Sequence, residues 1–374
     1  MRKLSLVLFA ASVAALAVTA EPASAQPNCS AFSDANLLSW PDSSPVWEFC
    51  WRRPSDSTPS PDGSGIEILD AWYNGHKVLE RLNVPILNVE YGPGGCGCFR
   101  DWLDSEVRFE AIGSSCGTGC REVTQPPRTV CDCQVNDTCD ENPNNACNVD
   151  LGSFTGVAIE RLPDRVILTS QTSAGWYRYR PSYTFYADGR IQPVFGYGAT
   201  PNGCTNTNHF HHSYWRIDFD IDGGASNEVI PITTSIGSSA FTTGLPPAID
   251  TEEGGYRPAG RTWFVRSQSS GRGYMVNSGG QDHSLPVSTF DPKPFAAGDY
   301  WILRYDPNEI DDGVSFGGGC SAQLDDYLDN EDVNDADIVF WYRAGALHPG
   351  AEECHCDKVG PTLVPRGNWS PAGS

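Results

Sequence analysis

The stretch Tyr214-Trp215-Arg216-Ile217-Asp218-Phe219-Asp220-Ile221 alternates apolar and polar side chains and runs into Asp222-Gly223. A period of two sends successive side chains to opposite faces of a strand and predicts a half-buried β-strand. Nothing elsewhere offers a rival period: there is no internal repeat and no clear amphipathic helix. The 38 Gly and 28 Pro supply many turns, and a hydrophobic fraction of 39% is enough for a large core. These features predict an all-β chain forming one large β-sandwich.

Other segments agree. Asn74-Gly75 separates Ile66–Tyr73 from Val78–Leu82 and predicts a hairpin, because both residues tolerate the positive φ of a tight turn. Val84–Tyr91 reads as a further strand. Val157–Arg161 and Arg165–Ser173 follow, then Tyr177–Tyr186 and Arg190–Tyr197 on either side of Ala187-Asp188-Gly189. Arg261–Arg266, Tyr300–Tyr305 and Asp337–Tyr342 complete the set, with an acidic loop at Asp325–Asp335.

Residues 1–25 read as a cleaved signal peptide: Arg2 and Lys3, an apolar run from Leu4 to Val18, and Ala23-Ser24-Ala25. No other run is long and apolar enough to span a membrane. All 14 cysteines lie beyond residue 25, which predicts disulfides in a secreted or periplasmic protein. Eight of them fall within residues 92–150, a stapled irregular lobe. Residues 26–45 read as a Ser/Pro-rich leader and 46–374 as the sandwich domain. The 25 Lys+Arg against 47 Asp+Glu leave a net charge of −22, which excludes a nucleic-acid binder working through a basic surface.

The chemistry centres on Asn208-His209-Phe210-His211-His212. On a strand His209 and His211 share a face and can hold one metal that takes nitrogen ligands. His348, just past the apolar run 337–342, is the best third ligand. Asp218 and Asp220 also share a face, and oxygen-only clusters suit calcium.

Two of these segments resemble the copper-containing amine oxidases. His209 to Gly223 is similar to that family's H-x-H strand with its R-L-D-x-x-x-D-G continuation. Asp337 to His348 is similar to its D-x-V-x-W-x-x-x-G-x-x-H. Val89-Glu90-Tyr91-Gly92 resembles its V-x-Y-G segment, and Leu363-Val364-Pro365-Arg366-Gly367 its tail. Counting back from Asp188-Gly189, with Tyr183 and Phe185 at W-x-F, places Tyr177 on the modified tyrosine. The family motif there is Asn-Tyr-Asp/Glu-Tyr, whereas this chain has Trp176-Tyr177-Arg178-Tyr179. The family's smaller N-terminal domains have no counterpart.

The resemblance implies copper on His209, His211 and His348, topaquinone made from Tyr177, and Tyr91 bonding the quinone oxygen. It implies Asp104 as the base, with Asp101 and Glu106 as alternatives. It also implies calcium on Asp218, Asp220 and Asp337 with the carbonyls of Phe219 and Ile338. The activity implied is oxidation of a small primary amine by dioxygen to aldehyde, ammonia and hydrogen peroxide, in a homodimer. Two other readings stay open: a non-catalytic secreted module that binds copper or calcium, and a zinc hydrolase using the three histidines. For the second, no H-E-x-x-H is present.

Overall fold

The computed structural model describes residues 26–59, 62–91, 96–106, 110–111, 120–124, 127–131, 149–150, 156–199, 202–233, 244–279, 282, 298–314, 324–348 and 359–371. The segment read as a signal peptide and most of the cysteine-rich lobe lie outside them.

Two large antiparallel sheets face each other. The first runs β1 (Asn36–Trp40), β2 (Trp47–Arg52), β3 (Glu67–Tyr73), β4 (His76–Tyr91), β15 (His209–Phe219), β21 (Ile338–His348), β20 (Tyr300–Arg304), β17 (Glu253–Gly255), with β5 (Cys98–Asp101) also on β4. The second runs β16 (Asn227–Thr233), β18 (Arg261–Ser267), β19 (Gly273–Asn277), β22 (Thr362–Arg366), β14 (Ile191–Ala199), β13 (Tyr177–Tyr186), β11 (Arg165–Ser170), β10 (Val157–Arg161), β7 (Cys120–Thr124), β8 (Pro127–Cys131), with β12 (Thr172–Ala174) on β13. A small pair, β6 (Glu110–Ala111) and β9 (Val149–Asp150), stands apart. The all-β sandwich expected from the sequence is the fold observed.

The β3–β4 hairpin turns at Asn74-Gly75 with φ of 51° and 76°, so both central residues take the left-handed conformation a two-residue turn needs. The segments 78–82 and 84–91, read as two strands, are one strand. Pro85 is the reason. Tyr214 pairs with Ile86 and Arg216 with Asn83, so Pro85 sits in the irregularity where its missing N–H breaks no ladder bond. Asn36–Trp40, inside the stretch read as a leader, is the edge strand β1 and pairs with β2.

Aromatic side chains join the sheets. Phe49 stacks on Phe185 at 4.3 Å, Trp47 meets Phe185 edge-on at 5.0 Å, and Trp215 meets Tyr183 at 5.6 Å. Such pairs add about 1 kcal/mol each to the burial of their area.

The expectation of a half-buried β15 is corrected: all eleven of its residues are buried. The odd-numbered side chains enter the sandwich. The even-numbered polar ones lie on the outer face, where they are neutralised in place. Arg216 pairs with Asp218 at 2.9 Å, His212 reaches Glu90 at 3.2 Å, and on neighbouring β21 Arg343 pairs with Asp299. Charged residues are buried only when paired in this way, so the alternation survives while the exposure does not.

Among the described residues, disulfides join Cys29 to Cys50 and Cys96 to Cys204. The second ties the segment after β4 to the loop before β15 across 108 residues. Closing so long a loop is worth about 5 kcal/mol in the chain-entropy account.

Candidate active site

At one end of the sandwich a single row crosses the first sheet: Tyr91 on β4, His209 on β15 and His348 on β21 are direct backbone partners. Directly opposed residues share a face, so the register alone brings the third histidine beside the first. His211 lies two residues along β15, and both it and His209 are fully buried. Their rings are 5.1 Å apart.

The second sheet closes over them. The ring of Tyr177 lies 4.7 Å from His211 and 5.7 Å from His209, and its hydroxyl bonds that of Tyr91. The ring of Tyr91 stacks on His209 at 5.3 Å. Burial raises both phenols above their ordinary pKa, so both are neutral at physiological pH. Trp176 donates its indole N–H to the Tyr91 hydroxyl at 3.3 Å. The departure from the family motif therefore lies in the site, holding the tyrosine pair. Arg178 turns back instead, donating to the carbonyl of Tyr177 at 3.1 Å.

The donor chemistry suits a borderline metal. His209 Nδ1–H donates to the Thr207 carbonyl at 2.7 Å, which sets the tautomer with the ring's lone pair on Nε2. Imidazole donors such as His209 and His211 are of the kind copper takes.

The carboxylates separate clearly. Asp101, at the end of β5, accepts the hydroxyl of Tyr179, whose ring stacks 5.7 Å from Tyr177. Burial pushes its carboxyl up to about 7, against the opposing pull of the Tyr179 hydroxyl and the Arg100 guanidinium. Asp104 lies past the strand end, packed on Gly63 and bonded by Ser105 Oγ at 3.1 Å. No described contact joins it to the tyrosines or histidines. Glu106 is committed to Arg53.

Sequence reasoning overlooked Tyr197. It stacks on His211 at 4.5 Å and donates to Ser213 Oγ at 3.2 Å. It is the β14 partner of Tyr179, so counting outward from the Asp188-Gly189 turn would have found it.

The acidic set is electrostatically linked. Burial first, then the charges of Asp218, Asp220 and Glu80, push Asp337 up to about 7. One carboxylate oxygen each of Asp218, Asp220 and Asp337 is buried without a hydrogen bond. Carboxylate oxygens of this kind suit a hard cation such as calcium, but these three do not lie within 4.8 Å of one another; among the described residues only the acidic oxygens of Glu252, Asp329 and Glu331 do.

No protein-family model and no curated protein matches the chain by sequence. Solved structures match it in fold. A copper-containing benzylamine oxidase from Hansenula polymorpha aligns at TM-score 0.56 with 18% identity, over 95% of this chain and 63% of that one. Pichia pastoris lysyl oxidase aligns at 0.56 with 13% identity, over 88% and 52%. An Aspergillus nidulans amine oxidase aligns at 0.52 with 16% identity, over 98% and 56%. The chain thus has the copper amine oxidase sandwich fold and spans about half to two thirds of the length of these proteins. Among the described residues no helix is long and apolar enough to cross a membrane.

Proposed function

We propose that the chain is a secreted or periplasmic primary-amine oxidase that depends on copper and topaquinone. One observation carries this reading: Tyr177 is held by its hydroxyl on Tyr91 while its ring packs on His209 and His211. A tyrosine oxidised by a histidine-bound metal needs that contact. His209, His211 and His348 would hold copper, and Tyr177 would be the modified ring. The metal and quinone supply electron exchange with dioxygen and a sink for the amine's electrons, giving aldehyde, ammonia and hydrogen peroxide.

The protein's own groups then have separable tasks. Tyr91 and Trp176 fix the oxygen of Tyr177 in place. Asp101, rather than Asp104, is the carboxylate the geometry favours as base. A group titrating near neutrality can take up a proton and return it at little cost. Tyr179 orients it. The acidic set of Asp218, Asp220 and Asp337, with the carbonyls of Phe219 and Ile338, would hold calcium as a structural ion. The partners in this reading are a small primary amine, dioxygen and a second copy of the chain.

The test is aerobic loading with copper. A broad visible band and labelling by phenylhydrazine are expected in the wild type and absent in Tyr177→Phe. The alternative, a copper- or calcium-binding module without turnover, is favoured by Trp176, because its indole walls a ring that is only 2% exposed. Copper binding with no chromophore and no labelling would select that alternative.

A further inference from the structure

The outer face of the first sheet holds a second chemical site, on the side of β15 opposite His209 and His211. A half-open cavity of about 460 Å³ lies there, bounded by β2, β4, β15, residues 31–33 and residues 305–310. Its size is that of a small-molecule site. Three guanidinium groups line it: Arg52, Arg81 and Arg216.

Their carboxylate partners are shared. Glu67, behind the wall, serves both Arg52 at 3.1 Å and Arg81 at 3.8 Å. Asp218 serves Arg216 at 2.9 Å. The remaining lining carboxylate, Glu80, is bonded by Lys77 at 2.6 Å. Lys77 also reaches Asp220 at 2.5 Å and Asp70 at 3.5 Å, so the wall carries no excess of positive charge and an anion here would be recognised by donor geometry.

A second observation points to a ligand. Arg216 is 1% exposed, and its three nitrogens are used unequally. Nε donates to the Glu309 carbonyl at 3.3 Å and Nη1 to Asp218, while Nη2 is buried with no acceptor. A buried guanidinium N–H is rarely left so, and its fork suits a carboxylate. The lining also carries apolar groups: Phe32, Pro307 and Ile310, with the ring of Tyr305 lying 5.7 Å from the Arg216 guanidinium.

We propose that this cavity binds a small monocarboxylate with a short apolar tail. The carboxylate accepts from Arg216 Nη2 and Arg81, and the tail lies against Phe32, Tyr305 and Ile310. The site shares no residue with the tyrosine–histidine cluster, so it stands or falls independently of the copper and quinone assignments; it shares Asp218 with the acidic set proposed for calcium.

Isothermal titration with hexanoate tests it, with acetate carrying the charge alone and hexanol the tail alone. Hexanoate should bind one per chain, at least tenfold tighter than acetate, and hexanol should not bind. Arg216→Lys keeps the charge facing Asp218 but removes the second donor, and should weaken hexanoate at least tenfold. Ala31→Trp changes an exposed lining residue and fills the cavity mouth without touching a buried pair. It should abolish hexanoate binding even if the arginine variant folds poorly. Hexanoate binding no tighter than acetate, or equally tight in Ala31→Trp, overturns the proposal.

Discussion

Asp101 gives the sharpest test of the site, because its burial has a thermodynamic signature that needs neither metal nor substrate. Its carboxyl is raised from 3.8 to about 7, chiefly by burial. A carboxyl raised on folding is neutral in both states at low pH, so its cost is then absent. As pH rises from 3.8 to 7, the unfolded chain gives up the proton while the folded one keeps it, and stability falls. Three units at 1.4 kcal/mol per unit amount to about 4 kcal/mol lost by pH 8. Asp101→Asn keeps an acceptor for the Tyr179 hydroxyl and removes the titration. Urea unfolding of both proteins from pH 4 to pH 9 gives the difference directly. Glu309 and Asp337, also raised to about 7, titrate alike in both and cancel. The wild-type advantage over Asp101→Asn should shrink by about 4 kcal/mol across that range. Tyr179→Phe removes a hydrogen bond to the charged form, worth about 1.5–3 kcal/mol, and should carry the decline at least one unit higher in pH. A difference that stays flat, or grows with pH, would refute the placement of a neutral Asp101 beside Tyr179.

Three further outcomes follow from the geometry. His348→Ala should abolish tight binding of about one copper per chain, measured by equilibrium dialysis, because two imidazoles remain where three are needed; unchanged binding would mean that the row across β4, β15 and β21 is not the copper site. Calcium should raise the wild-type melting temperature by several degrees and leave Asp337→Asn unmoved, because that substitution removes one of the three proposed carboxylate ligands; an equal rise in both removes the calcium assignment. Turnover of a diamine should fall more steeply with salt than turnover of benzylamine, since a net charge of −22 concentrates cations and salt screens the field; equal slopes remove net charge from the account of specificity.

The fold was legible because its signals are local. Asn74-Gly75 dictates its own turn, and the alternation in β15 dictates a strand whatever surrounds it. The burial of that strand's outer face was not legible, because it depends on partners far away in the chain. Arg343 is neutralised by Asp299, and Arg100 by Asp312. The histidine site is a reading from spacing and resemblance, and what the fold adds is the backbone pairing of His209 with His348.

The base shows where motif counting and geometry part. Counting from Tyr91 along the chain lands near Asp104, because a motif measures contour length. A sheet measures register. β5 returns antiparallel along β4, setting Phe99 opposite Val89 and Asp101 opposite Leu87. Those partners lie on the odd-numbered face of β4, the face that Tyr91 presents to His209. Opposed residues share a face, so Asp101 is carried inward with them. Asp104 lies beyond the last paired residue, where alternation no longer fixes its direction. Asp101→Asn should therefore remove part of the fall in stability between pH 4 and pH 8. If stability falls as steeply in Asp101→Asn as in the wild type, register is the wrong guide to the buried carboxylate.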